Sequence, residues 1–176
     1  MALTLTIQNG ATQTVATLQG HLANLRLPLT ETALLARSSV LQNFVEGGRP
    51  QRWAPLKWPR KRGSLGAAVP LTDNGILRAS IRSNVVGNSV ILSTGTHVPY
   101  AAIHHYGGTV HLPAITAAPG RALRWVARDG AVIYRRRVRA RTVTIPARPY
   151  MLLQEADVTA IVAIFTRYLT AGVEKG

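Results

Sequence analysis

The sequence predicts an α+β fold: an N-terminal helical hairpin, an antiparallel β-sheet with a projecting arginine-rich hairpin, and a C-terminal helix. Three observations carry this reading. Apolar residues recur at helical spacing up to Glu46 and again after Gln154. The stretch between them alternates apolar and polar residues around the turn dipeptides Gly87-Asn88 and Asp129-Gly130. Strands that follow helices, without βαβ alternation, pair antiparallel. At 176 residues, one domain spanning 1–176 is expected, long enough to bury a core.

The elements follow in chain order. Leu3, Leu5 and Ile7 alternate with Thr4, Thr6 and Gln8, a short strand that Asn9-Gly10 turns. Val15, Leu18, Leu22 and Leu25 share one face of a first helix, which Pro28 closes. Thr30 caps a second helix running to about Glu46, with Leu34, Leu41, Phe44 and Val45 as its inner side. Gly47-Gly48 stops it, since glycine takes the left-handed conformation cheaply. Residues 49–70 contain Pro50, Pro55, Pro59, Pro70 and six basic side chains, and read as an irregular basic loop. Leu77, Ala79 and Ile81 alternate with Arg78, Ser80 and Arg82 as a strand that Val90–Thr94 answers across Gly87-Asn88. Thr109–Leu112 forms another strand. Ala122–Ala127 and Ala131–Val138 flank Asp129-Gly130 as a hairpin projecting over residues 121–141, and Val143–Ile145 adds a short strand. The last helix, from about Gln154 to Ala171, carries Val158, Ile161, Phe165, Tyr168 and Leu169 as its stripe.

Composition narrows the function. The net charge is +14, and 18 of the 21 basic residues are arginine, with lysine only at positions 57, 61 and 175. Arginine's planar fork suits carboxylate and phosphate contacts. Acids are absent from Gly47 to Thr72 and from Asn74 to Arg128, a field that attracts polyanions or an acidic protein surface. The chain contains no cysteine, hence no disulfide or thiolate metal site. Met1–Gly10 lacks the charged and apolar regions of a secretion signal, and no apolar run approaches the roughly 20 residues that span a bilayer. An intracellular origin fits.

Chemistry is weighed first at the histidines. His97, His104, His105 and His111 cluster in sequence, but their spacing matches no ligand pattern, and the nearest acids are Asp73 and Asp129. Packing and hydrogen bonding are the simpler roles. No Gly-x-Ser-x-Gly and no glycine-rich phosphate loop occurs. No enzyme activity, catalytic residue, metal or cofactor is expected.

Two stiff islands and two basic segments remain. Tyr100–Gly108 joins an apolar, aromatic turn to Gly107-Gly108. Ile145-Pro146-Ala147-Arg148-Pro149-Tyr150 holds Arg148 extended between two prolines, which lowers the entropy lost on presenting it to a partner. Arg124, Arg128, Arg135, Arg136, Arg137, Arg139 and Arg141 lie on or beside the hairpin. Arg135 and Arg137 fall on one face and Arg136 on the other. A ribbon charged on both faces cannot enter an apolar core, so it should project as an arm towards DNA or acidic neighbours. The loop offers Arg49, Arg52, Lys57, Arg60, Lys61 and Arg62 with Trp53 and Trp58 as stacking or docking anchors. For Trp53, covering the chain's own core is the simpler role. Thr72-Asp73-Asn74-Gly75 is a turn leading into the strand near Leu77.

The order of these motifs resembles the phage virion morphogenesis family, the Mu-like and tail completion proteins of tailed phages. The matching pieces are Phe44 with Gly47-Gly48-Arg49-Pro50 and Trp53-Ala54-Pro55-Leu56; Leu71 to Ile81; Tyr100-Ala101-Ala102-Ile103-His104 with Gly107-Gly108; and Ile145 to Tyr150 before the final helix. His105 stands where the family often has glutamine, and the arginine-rich hairpin is longer than the family minimum. The resemblance implies a structural virion subunit of the neck or tail end, a tail completion, tail terminator or head–tail joining protein. It implies assembly in the host cytoplasm into a hexameric or dodecameric ring around the DNA path. Its partners would be its own copies, other neck and tail proteins and, non-specifically, genomic DNA, without membrane. A stand-alone nucleic-acid-binding module is the alternative.

Overall fold

A computed structural model describes residues 10–56, 69–127 and 130–172. The strand expected at Leu3–Ile7 lies outside the described residues. Helix α1 spans Gly10–Ala23 and helix α2 spans Arg26–Glu46. Pro28 does not close α1; it sits buried in the first turn of α2. That position suits proline, because first-turn N–H groups have no partner within a helix. Thr30 is therefore inside the helix rather than its cap, and its Oγ1 donates to the Arg26 carbonyl at 2.8 Å.

The inner face of α2 also differs from the one expected. Leu34 and Val45 are exposed at 64% and 52%, whereas Leu29, Ala33, Ala36, Val40, Asn43 and Phe44 are buried. Among the apolar side chains of this face stand the polar Ser39 and Asn43, both engaged in hydrogen bonds. Gly47 ends α2 at φ 74, as expected. The adjacent Gly48 has no substitute: at φ 109 an added Cβ would lie 2.6 Å from the Gln51 carbonyl oxygen.

Helix α3 covers Ile76–Ala79, where alternation predicted strand. Leu77, Ser80 and Ile81 are buried while Ala79 is exposed, a three-and-four spacing that only a helical turn satisfies. Strands β1 (Arg82–Val86) and β2 (Ser89–Ser93) form the expected hairpin, with Val86 opposite Ser89 across Gly87-Asn88. Helix α4 (Ala101–Tyr106) occupies the first island.

Six strands follow: β3 (Gly108–Leu112), β4 (Ile115–Thr116), β5 (Leu123–Val126), β6 (Val132–Arg135), β7 (Arg137–Val138) and β8 (Arg141–Ile145). They pair antiparallel as β3·β8, β4·β7 and β5·β6, so each sheet is two strands wide and none widens into a broad sheet. Helix α5 spans Glu155–Thr170 and packs on α2 and α1. Its buried residue is Ile164; Val158, expected inside, is exposed at 53%. In α1, Val15 and Leu22 are likewise exposed, at 51% and 58%. Among the described residues no helix is long and apolar enough to cross a membrane.

The core gathers Val40 and Phe44 of α2 with Trp53, Leu77, Ile81, Val98, Ala101 and Tyr150. Phe44 packs edge-on to Trp53 at 5.7 Å and against Tyr150 at 5.4 Å. Beside it runs a polar network centred on Asn43, which is 0% exposed. The Asn43 amide donates to the carbonyls of Tyr150 (2.9 Å) and Leu152 (2.8 Å) and accepts from Arg49 Nε at 2.8 Å. Arg49 Nη2 donates to the Ser39 carbonyl (2.6 Å) and hydroxyl (2.7 Å). Ser39 Oγ donates to Asp157, whose carboxylate also accepts the Gln154 N–H at 2.7 Å and so caps α5.

Replacing Asn43 with leucine leaves two carbonyls and one guanidinium N–H without partners in a buried site. Each such orphan costs about 1–3 kcal/mol. The expected loss is about 3 kcal/mol, a fall in melting temperature of roughly 6–12 °C for a chain this size. Leu34→Ala, on the exposed face, should change stability by less than about 0.5 kcal/mol. Urea and thermal unfolding of the two variants check the contrast.

Candidate assembly interface

The two islands lie side by side. The Arg148 N–H donates to the His104 carbonyl at 2.9 Å, and the Tyr150 hydroxyl donates to the Ala101 carbonyl at 3.1 Å. His105 stacks edge-on against Tyr150 at 5.0 Å. Gly107 makes the junction close: at φ 72, an added Cβ would come within 2.7 Å of the Ala147 nitrogen. Gly108 then opens β3 opposite Ile145 at the end of β8. Everything between the islands thus leaves and returns at one place.

What leaves is a single long ribbon. Leu112 faces Arg141, and three residues on in each strand Ile115 faces Val138, so β3·β8 and β4·β7 continue one register. From the Thr116–Arg137 pair to the Leu123–Arg135 pair the outgoing strand advances seven residues and the returning strand two. The surplus chain, Ala117–Ala122, bulges from the ribbon, and a bend at Arg136 accepts the Ala117 N–H at 2.9 Å. Beyond it β5 and β6 pack chiefly on each other.

Both faces of this ribbon meet solvent. Arg124, Arg135, Arg136, Arg137, Arg139 and Arg141 are exposed; Arg128 lies outside the described residues. Apolar side chains stand among them, with Ile115 54%, Val132 44% and Tyr134 59% exposed. At the base the faces differ. Val110, Val143, Leu112 and Ile145 share one side, while Thr109, Thr142, Thr144 and His111 share the other. His111 Nδ1 lies 3.1 Å from Thr142 Oγ1.

The first basic segment behaves differently. Trp53 is buried at 7% and belongs to the core, so it is no base-stacking platform. Arg49 serves the Asn43 network, and only Arg52 of the described basic residues there is exposed. Lys57, Trp58, Arg60, Lys61 and Arg62 lie outside the described residues. Arg148, expected to be presented outward, is 5% exposed, and its Nε and Nη2 donate to the Ala54 carbonyl at 3.2 and 3.0 Å. The prolines around it, Pro146 and Pro149, are exposed and hold the backbone rather than the guanidinium at the surface. Asp73 and Gly75 (φ 70) lie in the turn before α3 instead of before a strand. Tyr100 precedes α4 and packs edge-on to His104 at 5.7 Å.

Among the described residues no three His, Asp or Glu side chains converge as a metal site. Burial holds the His104 imidazole below its ordinary pKa of 6.5, and the nearby Arg148 charge pushes it the same way. Burial lowers His105 as well. Tyr150 shifts upward, first through burial and then through Tyr106. Sequence reasoning missed Asn43, Ser39 and Asp157, because their importance comes from contacts distant in the chain. It also missed the ribbon's continuity, although Thr109–Leu112 and Val143–Ile145 are the segments that pair at its base.

Comparison with known proteins gives two matches. The model of the phage virion morphogenesis family matches residues 7–170. The Mu-like prophage FluMu G protein 2 of Haemophilus influenzae is 35% identical over 133 residues, covering 75% of this chain and 70% of that protein. No solved structure matches significantly.

The half-buried His104 and His105 set a pH dependence. Unfolded, they protonate near 6.5; folded, only at lower pH. The unfolded state then binds more protons, so stability falls as pH drops from 6.5 towards the folded values and is level above that window. Urea unfolding between pH 7.5 and 5 should trace this fall, and His104→Gln should flatten it.

Proposed function

The chain belongs to the phage virion morphogenesis family, and from that premise we propose that it is a non-enzymatic structural subunit of a tailed-phage neck or tail end. In this reading it closes into a ring, hexameric or dodecameric, that joins head to tail around the DNA path. The observation that carries it is the ribbon from Gly108 to Ile145. A protomer gains little from a long arm whose two faces both meet solvent; a neighbour that receives the arm buries its apolar side chains and pairs its arginines. Exposed Val158 and Val162 on α5, and Val15 and Leu22 on α1, add apolar surface suited to subunit contact. Ring closure joins unlike patches, and an arm seated on the next subunit is such a contact. Some of the arm's arginines would remain for DNA in the lumen.

The exposed arginine row also favours a second reading, a stand-alone nucleic-acid-binding module. A module binds duplex as a monomer with a steep salt slope, on the order of one logarithmic unit per phosphate neutralised. A ring subunit assembles with virion proteins and binds DNA weakly, without regard to sequence.

The triple variant with Arg135, Arg136 and Arg137 changed to serine should fold with stability within about 0.5 kcal/mol of the parent, since these side chains are exposed. It should nevertheless fail to enter particles, as judged by protein content of purified virions in a complementation assay. Normal incorporation, or absence of the parent chain from virions, would remove the structural reading.

A further inference from the structure

Strand β1 pairs with β2 alone, and a strand paired on one side leaves a row of N–H and C=O groups open on the other. Beside that open edge lies a groove of about 570 Å³. It touches Ser83, Asn84 and Val85 of β1 and the turn at Gly87, but no residue of β2, so it runs along the unpaired side. Among the described residues no backbone hydrogen bond joins Ser83, Asn84 or Val85 to anything but β2. The opposite wall is the corner between α1 and α2, where Leu25, Ala33 and Leu34 supply apolar surface and Leu34 is 64% exposed. Free main-chain groups on one wall and apolar side chains on the other are what the addition of an extended segment uses. Of the residues lining the groove only Arg26 is charged. That gives a polyanion little to hold and repels the arginine-rich ribbon of a neighbour.

We propose that this groove receives the Leu3–Ile7 segment of a second copy of the chain, added as a strand to the free edge of β1. The proposal rests on the ring reading and assigns one contact between neighbours. The segment has the required chemistry: Leu3, Leu5 and Ile7 alternate with Thr4, Thr6 and Gln8, and no side chain from Ala2 to Asn9 is charged. Its five residues match the five of β1. Alternation lets the apolar side chains face Leu25 and Leu34 while the threonines stay on the side of the exposed Asn84. Copies that each carry +14 repel one another, so an uncharged strand in a nearly uncharged groove suits a contact between them. The segment does not reach the groove of its own copy. Helix α1 rises about 1.5 Å per residue, which puts Gly10 about 20 Å from Ala23, the end that borders the groove. Only Gln8 and Asn9 lie between Ile7 and Gly10, a span of about 10 Å at full extension. Nor is α1 sunk into the body of the fold: none of its described side chains is buried, and it packs chiefly on α5. It is placed to hold the segment out toward a neighbour.

The chain has no cysteine, so full-length variants with one cysteine each report a single contact. Chains carrying Thr4→Cys or Thr6→Cys are mixed with size-tagged chains carrying Asn84→Cys and oxidised mildly. Cross-strand neighbours stand close enough for a disulfide, so a product joining the two different chains should form with at least one of the threonine positions. A tagged Thr159→Cys chain, substituted at an exposed position of α5, should give at least about tenfold less of it. Adding Leu5→Asp to the threonine variants puts a charge against the apolar wall and should cut the Asn84→Cys product at least about tenfold. The melting temperature of the dilute Leu5→Asp chain should match the parent's, because in this arrangement Leu5 packs on another copy. Equal cross-linking to Asn84→Cys and Thr159→Cys, no mixed product from either threonine position, or a product that survives Leu5→Asp would each overturn the proposal. So would a lower melting temperature of the dilute Leu5→Asp chain. Incorporation into virions without the cross-link sinks this inference alone. A specific cross-link in a chain absent from virions sinks the virion-subunit reading and leaves the strand exchange standing.

Discussion

The buried amide of Asn43 is the interaction on which the rest of the architecture depends. One side chain ties α2 to two other stretches: the carbonyls of Tyr150 and Leu152 before α5, and Arg49 after α2. Arg49 then reaches Ser39, and Ser39 reaches Asp157 at the start of α5. Every polar atom of the amide has found work, which makes a buried polar centre tolerable and specific at once. Hydrophobic packing of Phe44, Trp53 and Tyr150 would bring these segments together, but it would not set their register. The amide does, because a carbonyl displaced by one residue would miss its donor.

That register is what aligns the islands. With Tyr150 fixed from one side by Asn43 and from the other by the Ala101 carbonyl, Arg148 meets His104 and Ile145 meets Gly108. The ribbon therefore springs from a rigid base, while its far part packs chiefly on itself. Its root is held by hydrogen bonds between the islands, and its length is exposed. The same alignment buries Arg148 against the Ala54 carbonyl, so the two arginine populations separate. Arg49 and Arg148 organise the fold, and the described arginines of the ribbon face outward.

How much of this was legible varies with the range of the interaction involved. Gly47 as the stop of α2, the Gly87-Asn88 turn and the extent of α5 are local matters of backbone preference, and they read directly. The segment at Leu77–Ile81 misled because its five residues fit both periods; burial of Leu77, Ser80 and Ile81 chose the helical one. The inner face of α2 misled for a different reason. Leu34 and Val45 are more apolar than Ser39 and Asn43, but the inner face was decided by which residues could satisfy neighbouring carbonyls. Trp53 read correctly as core, whereas Arg148 looked outward-facing because two prolines suggested presentation.

By itself the sequence determined the class of fold, the element order over most of the chain, the basic character and the family. All four rest on local preference, composition or motif order, which survive without knowledge of contacts. Only the tertiary structure decided that the short strands make one ribbon, that Arg148 turns inward, and that a cleft with a charged wall lies between Leu71 and Tyr100. Those outcomes depend on pairings between residues far apart in the chain, where register and burial are set by partners that no local pattern names.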